Sequence, residues 1–312
     1  VLSFRFHIVS LIAVFLALAI GIAAGSTFID RAIVDSLQDR VDTVSANLDA
    51  RRAENQQLSG QIDDLEAYVS DSAPWLVEDR LNGRSIVVVA ERGVADEPVE
   101  AQVELLRQAG ADVPGIVWLE EQLALAEPDD LQALVEAFEL EEDEAGDVQQ
   151  AVLARLASED AEEGGEALAL LVEAGFAELD TVGGDAVEPT EVRVAAGSTL
   201  LVTGQESQAG AGALTDVVAR ALVTGGSNVL VGEVYRVVDG DGGEERPERG
   251  EVLAPILDDA ELREQVSTDD ALDLTRGRTA AVLALEELAV GRVSHVGFGA
   301  GADGPVPPFP GS

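Results

Sequence analysis

His295, in the run Val293-Ser294-His295-Val296-Gly297-Phe298-Gly299, is the side chain with the most obvious chemistry to offer. A neutral imidazole beside carboxylates can ligate Cu(II) or Zn(II), but one histidine alone does not make a specific soft-metal site. A hydrogen-bonded structural histidine, in a segment where glycines let backbones approach, is the simpler expectation. The other histidine, His7, flanks a long apolar run and reads as an interface residue. The chain has no cysteine and no methionine, which excludes disulfides, thiolate and thioether ligands and cysteine nucleophiles. No nucleophile-elbow GxSxG occurs, so a hydrolase built on His295 is not expected, and the chain reads as a non-enzyme.

Two further patterns could bind ions. The loop Gly204-Gln205-Glu206-Ser207-Gln208-Ala209-Gly210-Ala211-Gly212 follows an apolar run and precedes a helical one, where an anion can meet a helix N-terminus. Gly204, Gly210 and Gly212 would supply the close backbone approach. The spacing is neither GxGxxG nor a Walker A loop, and Glu206 would repel phosphate, so a tight strand-to-helix turn is the simpler alternative. Asp239-Gly240-Asp241-Gly242-Gly243-Glu244-Glu245 imitates a calcium loop but lacks its third acid, its sixth-position glycine and its closing Glu. Thr268-Asp269-Asp270 and Glu141-Glu142-Asp143-Glu144 read as solvated charge.

Charge excludes other classes. With 60 Asp+Glu against 19 Lys+Arg, the net charge is -41; lysine is absent, so every one of those cations is arginine. A nucleic-acid binder needs a basic footprint, and nothing here exceeds Arg51-Arg52. Nor can charge draw this chain to an anionic lipid surface. So much acid suits a high-salt or cation-rich setting, where counterions screen the repulsion.

The elements that must position these residues begin with a membrane-length segment. Residues 8–29 form 22 consecutive positions without a charge, roughly 33 Å of helix against about 30 Å of hydrocarbon. The alternative, a cleaved signal peptide, is helped by Ala23-Ala24-Gly25, but its apolar core would run only ~7–15 residues. Ala13, Ala17, Gly21 and Gly25 make a small-residue stripe ending in GxxxG, the pattern that lets two membrane helices approach closely. From Val34 a seven-residue apolar repeat follows, with Val34, Val41, Leu48, Asn55, Ile62 and Val69 at a and Leu37, Val44, Arg51, Leu58 and Leu65 at d. This is a coiled-coil pattern, and the lone a-position Asn55 favours an in-register parallel homodimer. One long amphipathic helix packed on its own domain is the other reading. Charge gives almost no orientation; the short N-terminal flank favours the bulk outside the cytoplasm.

Pro74 and Asn82-Gly83 are expected to end the stalk. Beyond them, β-branched runs at 84–90, 113–119, 199–203 and 227–238 alternate with helical stretches at 97–109, 128–138, 148–156, 166–174, 214–223, 259–266 and 279–289. Continuous apolar strands alternating with helices predict an α/β domain with a mainly parallel, doubly wound sheet, Rossmann-like or flavodoxin-like. The expected plan is a membrane anchor at 1–30, a coiled-coil stalk at 31–72, the α/β domain at 83–296 and an irregular Gly/Pro-rich tail at 297–312.

The string Leu2-Ser3-Phe4-Arg5-Phe6-His7-Ile8-Val9-Ser10-Leu11-Ile12-Ala13-Val14-Phe15-Leu16-Ala17-Leu18-Ala19-Ile20-Gly21-Ile22 resembles the MctB family of actinobacterial copper transporter proteins. So do Ser267-Thr268-Asp269-Asp270, Thr279-Ala280-Ala281-Val282-Leu283-Ala284-Leu285 and His295-Val296-Gly297-Phe298-Gly299. The layout matches too, so the resemblance covers essentially the whole chain. It implies a cell-envelope membrane protein linked to copper homeostasis or copper transport, sometimes described as an outer-membrane channel. The residues themselves supply no channel: one apolar helix has no polar lining beyond Ser3, Ser10, Ser26 and Thr27. Copper(I) normally travels on thiolates or thioethers, which are absent. If copper is touched, His295 with acidic neighbours is the expected ligand set. Otherwise the protein is expected to hold an α/β module off the membrane for an unidentified envelope partner, with no cofactor.

Overall fold

The structure is a computed structural model; it describes residues 4–141, 144–181, 187–195, 197–236 and 247–308, the side chains of 26–36 excepted. The chain divides into two compact units, Val1–Leu65 and Glu66–Ser312.

In the first unit the backbone is helical from Phe4 onward, as part of helix α1 (Phe4–Val77). Phe4–Gly25 is 22 residues long with mean hydropathy 2.7 and no buried side chain. Leu37, Val41, Val44, Leu48, Leu58, Ile62 and Leu65 are 50–64% exposed. Along this stripe, Arg51 pairs with Glu54 (3.0 Å) and Arg52 with Asp49 (3.5 Å), each one turn away.

The second unit is α/β with a mostly parallel sheet. After the end of α1 come β1 (Ile86–Glu91), α2 (Asp96–Gln108), β2 (Ile116–Leu119), α3 (Pro128–Phe138), α4 (Ala145–Leu156), α5 (Ala161–Glu173) and β3 (Ala177–Asp180). Then follow β4 (Ser198–Gly204), α6 (Thr215–Thr224), β5 (Asn228–Val234), α7 (Ala254–Leu257), α8 (Ala260–Gln265), β6 (Val266–Asp269), α9 (Thr275–Leu288) and β7 (His295–Val296). Strand order is β3-β2-β1-β4-β5-β6-β7. Every neighbouring pair is parallel except β2 with β3. The chain therefore leaves β1 for one side of the sheet and returns to β4 on the other, so the order reverses between β1 and β4.

Strand alternation builds two cores. Val87 and Val89 face a cluster with Leu134, Leu153, Leu168 and Val218, from α3 to α6. Ile86, Val88 and Ala90 face another with Val77, Val103, Leu106 and Leu285. Both faces of the central strands are thus covered, which is why they read as unbroken apolar runs.

Several expectations need correction. Pro74 does not stop the helix, which runs through it to Val77; Ala73, Val77 and Leu81 are buried against the sheet, and that packing carries the helix on. The 113–119 strand starts only at Ile116, and the 259–266 helix ends at Gln265, with Val266 opening β6. Asp269 and Asp270 are not solvated charge: both are buried. The segment after β7 is held to the domain as far as Gly304, by Gly297 N–H to Gly304 O (2.9 Å) and Asp303 N–H to His295 O (2.7 Å). The calcium-like loop 239–245 lies outside the described residues.

Candidate functional site

The carboxyl ends of β1, β4, β5 and β6 carry the chemistry of the sheet, and they carry it as buried acid. Glu91 closes β1 and is fully buried. Thr203 Oγ1–H at the end of β4 donates to its Oε2 (3.0 Å), and Thr215 Oγ1–H at the start of α6 donates to its Oε1 (3.0 Å). Burial pushes the Glu91 carboxyl up, and the surrounding hydroxyls pull it partly back. The protein thus places its own carboxyl at the α6 N-terminus, where an external anion would sit.

The 204–212 loop is closed in the same way. Ser207 N–H donates to Gly204 O, Gln208 N–H to Arg92 O, Gly210 N–H to Ser207 O and Ala213 N–H to Gly210 O. Those amides are engaged within the protein, so Gly204, Gly210 and Gly212 shape a turn instead of opening a cradle. Gly93 (φ +100°) fits because it has no side chain: a Cβ there would stand 2.3 Å from Glu206 O.

Two strands over, Glu233 on β5 accepts Gly250 N–H on Oε2 (2.5 Å) and Gln205 Nε2–H on Oε1 (3.0 Å). Burial raises it from 4.5 to about 7, with nearby Asp270 adding to the rise and Arg249 opposing it. Asp269 on β6 accepts Ala271 N–H on Oδ1 (2.8 Å), while Oδ2 has no partner among the described residues. Burial pushes the Asp269 carboxyl well above the ordinary carboxyl range, with Asp270 and Asp273 adding to the rise and the Ala271 amide opposing it. Asp270 accepts Phe298 N–H (2.8 Å to Oδ1, 3.0 Å to Oδ2) and Gly299 N–H (2.7 Å).

Arg249 stitches this end together. Its guanidinium grips Asp273 bidentately (2.7 and 2.9 Å), donates to Asp270 O (2.6 Å) and lies 4.4 Å over the Tyr235 ring. Beside it is a cleft of about 700 Å³, lined by Arg249, Arg263, Glu248, Glu251 and Asp258 among others. Its charges are mixed, and it selects no one ligand sign.

His295 sits on β7, 6% exposed. Nδ1 is 3.0 Å from Thr268 Oγ1 and Nε2 is 3.2 Å from Arg263 O. With both ring nitrogens engaged, neither points a free lone pair at a ligand; burial pushes its pKa down, so the ring is neutral. Among the described residues, no group of three or more His, Asp or Glu is placed to hold a metal ion. Asn55, Ala13, Ala17 and Gly21 are exposed on α1, and nothing lies within 4 Å of a Cβ built at Gly21 or Gly25.

Sequence reasoning passed over Glu91, Glu233 and Arg249. A signal existed for the first two: Ile86-Val87-Val88-Val89-Ala90-Glu91 ends an apolar strand in a lone acid, and Val229-Leu230-Val231-Gly232-Glu233-Val234 carries one within an apolar strand's last residues. For Arg249 there was none, since its partners lie 21 and 24 positions away.

Fold and site together define a protein with a membrane-length apolar helix and a mostly parallel α/β domain whose strand ends are filled by its own acids. The family model described as copper transport outer membrane protein, MctB, matches residues 1–307. The chain belongs to that family. It is similar to the copper transporter MctB of Mycobacterium tuberculosis (strain ATCC 25618 / H37Rv), 28% identical over 323 residues, covering 96% of this chain and 98% of that protein. The copper transporter MctB of Mycobacterium leprae is 27% identical over 324 residues, with the same coverage.

Proposed function

We propose that this chain is a membrane-anchored envelope protein of the MctB type that acts in copper homeostasis. The observation that carries the reading is the whole-length family match, reinforced by the wholly exposed apolar segment Phe4–Gly25. In this reading the helix anchors the chain in a single pass with the bulk outside the cytoplasm, and the exposed a/d stripe pairs with a second copy as a parallel coiled coil. The strand order, with its reversal between β1 and β4, supports a doubly wound, Rossmann-like or flavodoxin-like class. The test is complementation of a mycobacterial strain lacking its own MctB. The full chain restores copper tolerance and a version beginning at Glu66 does not; failure of the full chain at matched protein level sinks the proposal.

A second reading concerns how copper is involved. His295 has both ring nitrogens occupied and soft ligands are missing, which supports an indirect role: a dimeric scaffold with no copper centre and no catalysis of its own. Titration of the full chain with Cu(II) and with Ag(I), in excess Mg²⁺ and salt, should match the His295→Ala variant. A stoichiometric site lost in that variant overturns the scaffold reading and makes His295 a ligand. Dimerisation is checked separately by oxidising Asn55→Cys, the sole thiol in that variant. A disulfide-linked dimer is expected, and a chain that stays monomeric argues against the parallel pair.

A further inference from the structure

The amino-terminal end of the sheet presents a different surface. A groove of about 470 Å³ lies between the last turn of α1, the turn before β1, the outer face of α9 and the 306–308 segment. Its apolar walls are Leu76, Leu283, Val290, Val306, Pro307 and Pro308, and its charged lining is Arg80, Arg84 and Arg292 with Glu286 and Glu287. Leu76, Val290 and Val306 remain 52%, 57% and 43% exposed. Three arginines meet here in a chain of net charge -41.

The three are not equivalent. Arg80 is paired with Glu286 (3.1 Å) and Arg292 with Glu287. Arg84 is half-buried, and its guanidinium makes no hydrogen bond or ion pair with any described residue. A half-buried cation facing an apolar trough, with its neighbours already neutralised, is complementary to one negative charge attached to an apolar body.

We propose that this groove binds a single-chain anionic amphiphile, with a fatty-acyl carboxylate on Arg84 and the alkyl chain along Leu283, Val290, Val306 and Pro307. An extended peptide fits less well. The walls are helix faces, whose amides are spent inside the helices, and consecutive prolines, which have no N–H to give. A peptide lying there would leave its own backbone groups unpaired, whereas an alkyl chain has none to satisfy. The volume lies within the range of small-molecule sites. The site is independent of the copper reading and at the opposite end of the strands from the buried acids.

The test uses the full chain in nanodiscs of zwitterionic lipid, with a diazirine-bearing long-chain fatty acid as photoprobe and its methyl ester as the neutral control. Adducts are mapped by mass spectrometry. The membrane segment 4–25 takes up probe in every case and serves as the internal standard. The fatty acid labels peptides covering 279–292 and 306–308; Arg84→Gln and the methyl ester each lower that labelling at least tenfold relative to 4–25, and Arg84→Lys retains it. Because the Arg84 guanidinium pairs with no described residue and its backbone bonds survive the change, Arg84→Gln keeps the parent's near-ultraviolet circular dichroism. Absence of adducts in the groove, or groove labelling undiminished in Arg84→Gln, overturns the proposal.

Discussion

The two ends of this sheet pose opposite problems, one set by buried acids and the other by arginines. At the carboxyl end, carboxyls are plentiful and buried, and the protein meets most of them itself: hydroxyls on Glu91, backbone amides on Glu233, Asp270 and one oxygen of Asp269. At the amino end, cations gather at a half-open apolar groove and one of them, Arg84, has a guanidinium that no described residue pairs with. In an open parallel sheet the carboxyl end is the customary place for ligands. Here the buried acids at that end are a structural joint, and the cation that no described residue pairs with is at the other end.

The comparison can be broken most forcefully at Asp270. Replacing it with alanine removes the buried acceptor of the part-buried Phe298 and Gly299 amides and should cost about 3 kcal/mol. Asp270→Asn, which keeps an acceptor oxygen, should cost about half as much. Chemical denaturation followed by near-ultraviolet circular dichroism measures both, and a near-neutral Asp270→Ala would mean this end is no joint.

Glu233 gives an effect of similar kind but conditional on pH. It titrates near 4.5 in the unfolded chain and near 7 in the fold, so between those values the folded state holds the extra proton. Its contribution is complete below about pH 4.5 and is lost as pH rises through 7, about 2–3 kcal/mol in all. Glu233→Gln should flatten that part of the stability–pH curve and gain on the parent above pH 7; an unchanged slope would show that the carboxyl ionises at no cost. Smallest of all is Arg84→Gln. It should change stability by no more than about 0.5 kcal/mol, while abolishing the charge-dependent labelling of its groove. A larger loss of stability would mean that Arg84, too, is a structural group.

Which parts of this were legible in the sequence follows from how local each signal is. The apolar segment, the runs that became β1, β4 and β5, and helices such as α2 and α6 are written in consecutive residues, and their periodicity survives folding. Strand β6 is not written that way. Val266 reads as the end of a helix and Thr268-Asp269-Asp270 as solvated charge, because their burial depends on Ala271 and on the distant β5 and β7 that flank the strand. Asp270, the next residue, depends on Phe298 and Gly299. β3 and β7 are four and two residues long, and their existence is decided by the neighbour they pair with. His295 was legible as a hydrogen-bonded histidine, though not that its two partners would be Thr268 and Arg263. The 204–212 loop advertised glycines but not the internal acid, Glu91, that already occupies the place of an anion.

The Asp270 bond to Phe298 and Gly299 also has a consequence in time. Strands β1, β4, β5 and β6 are all synthesised before the two amides that Asp270 needs exist. Until the chain has been made as far as Gly299, the central sheet can assemble, but it carries an unanswered carboxylate on one flank. Closure of that flank therefore waits for a segment 28 and 29 positions downstream of Asp270, and the domain completes its last side only after Phe298 and Gly299 have reached it.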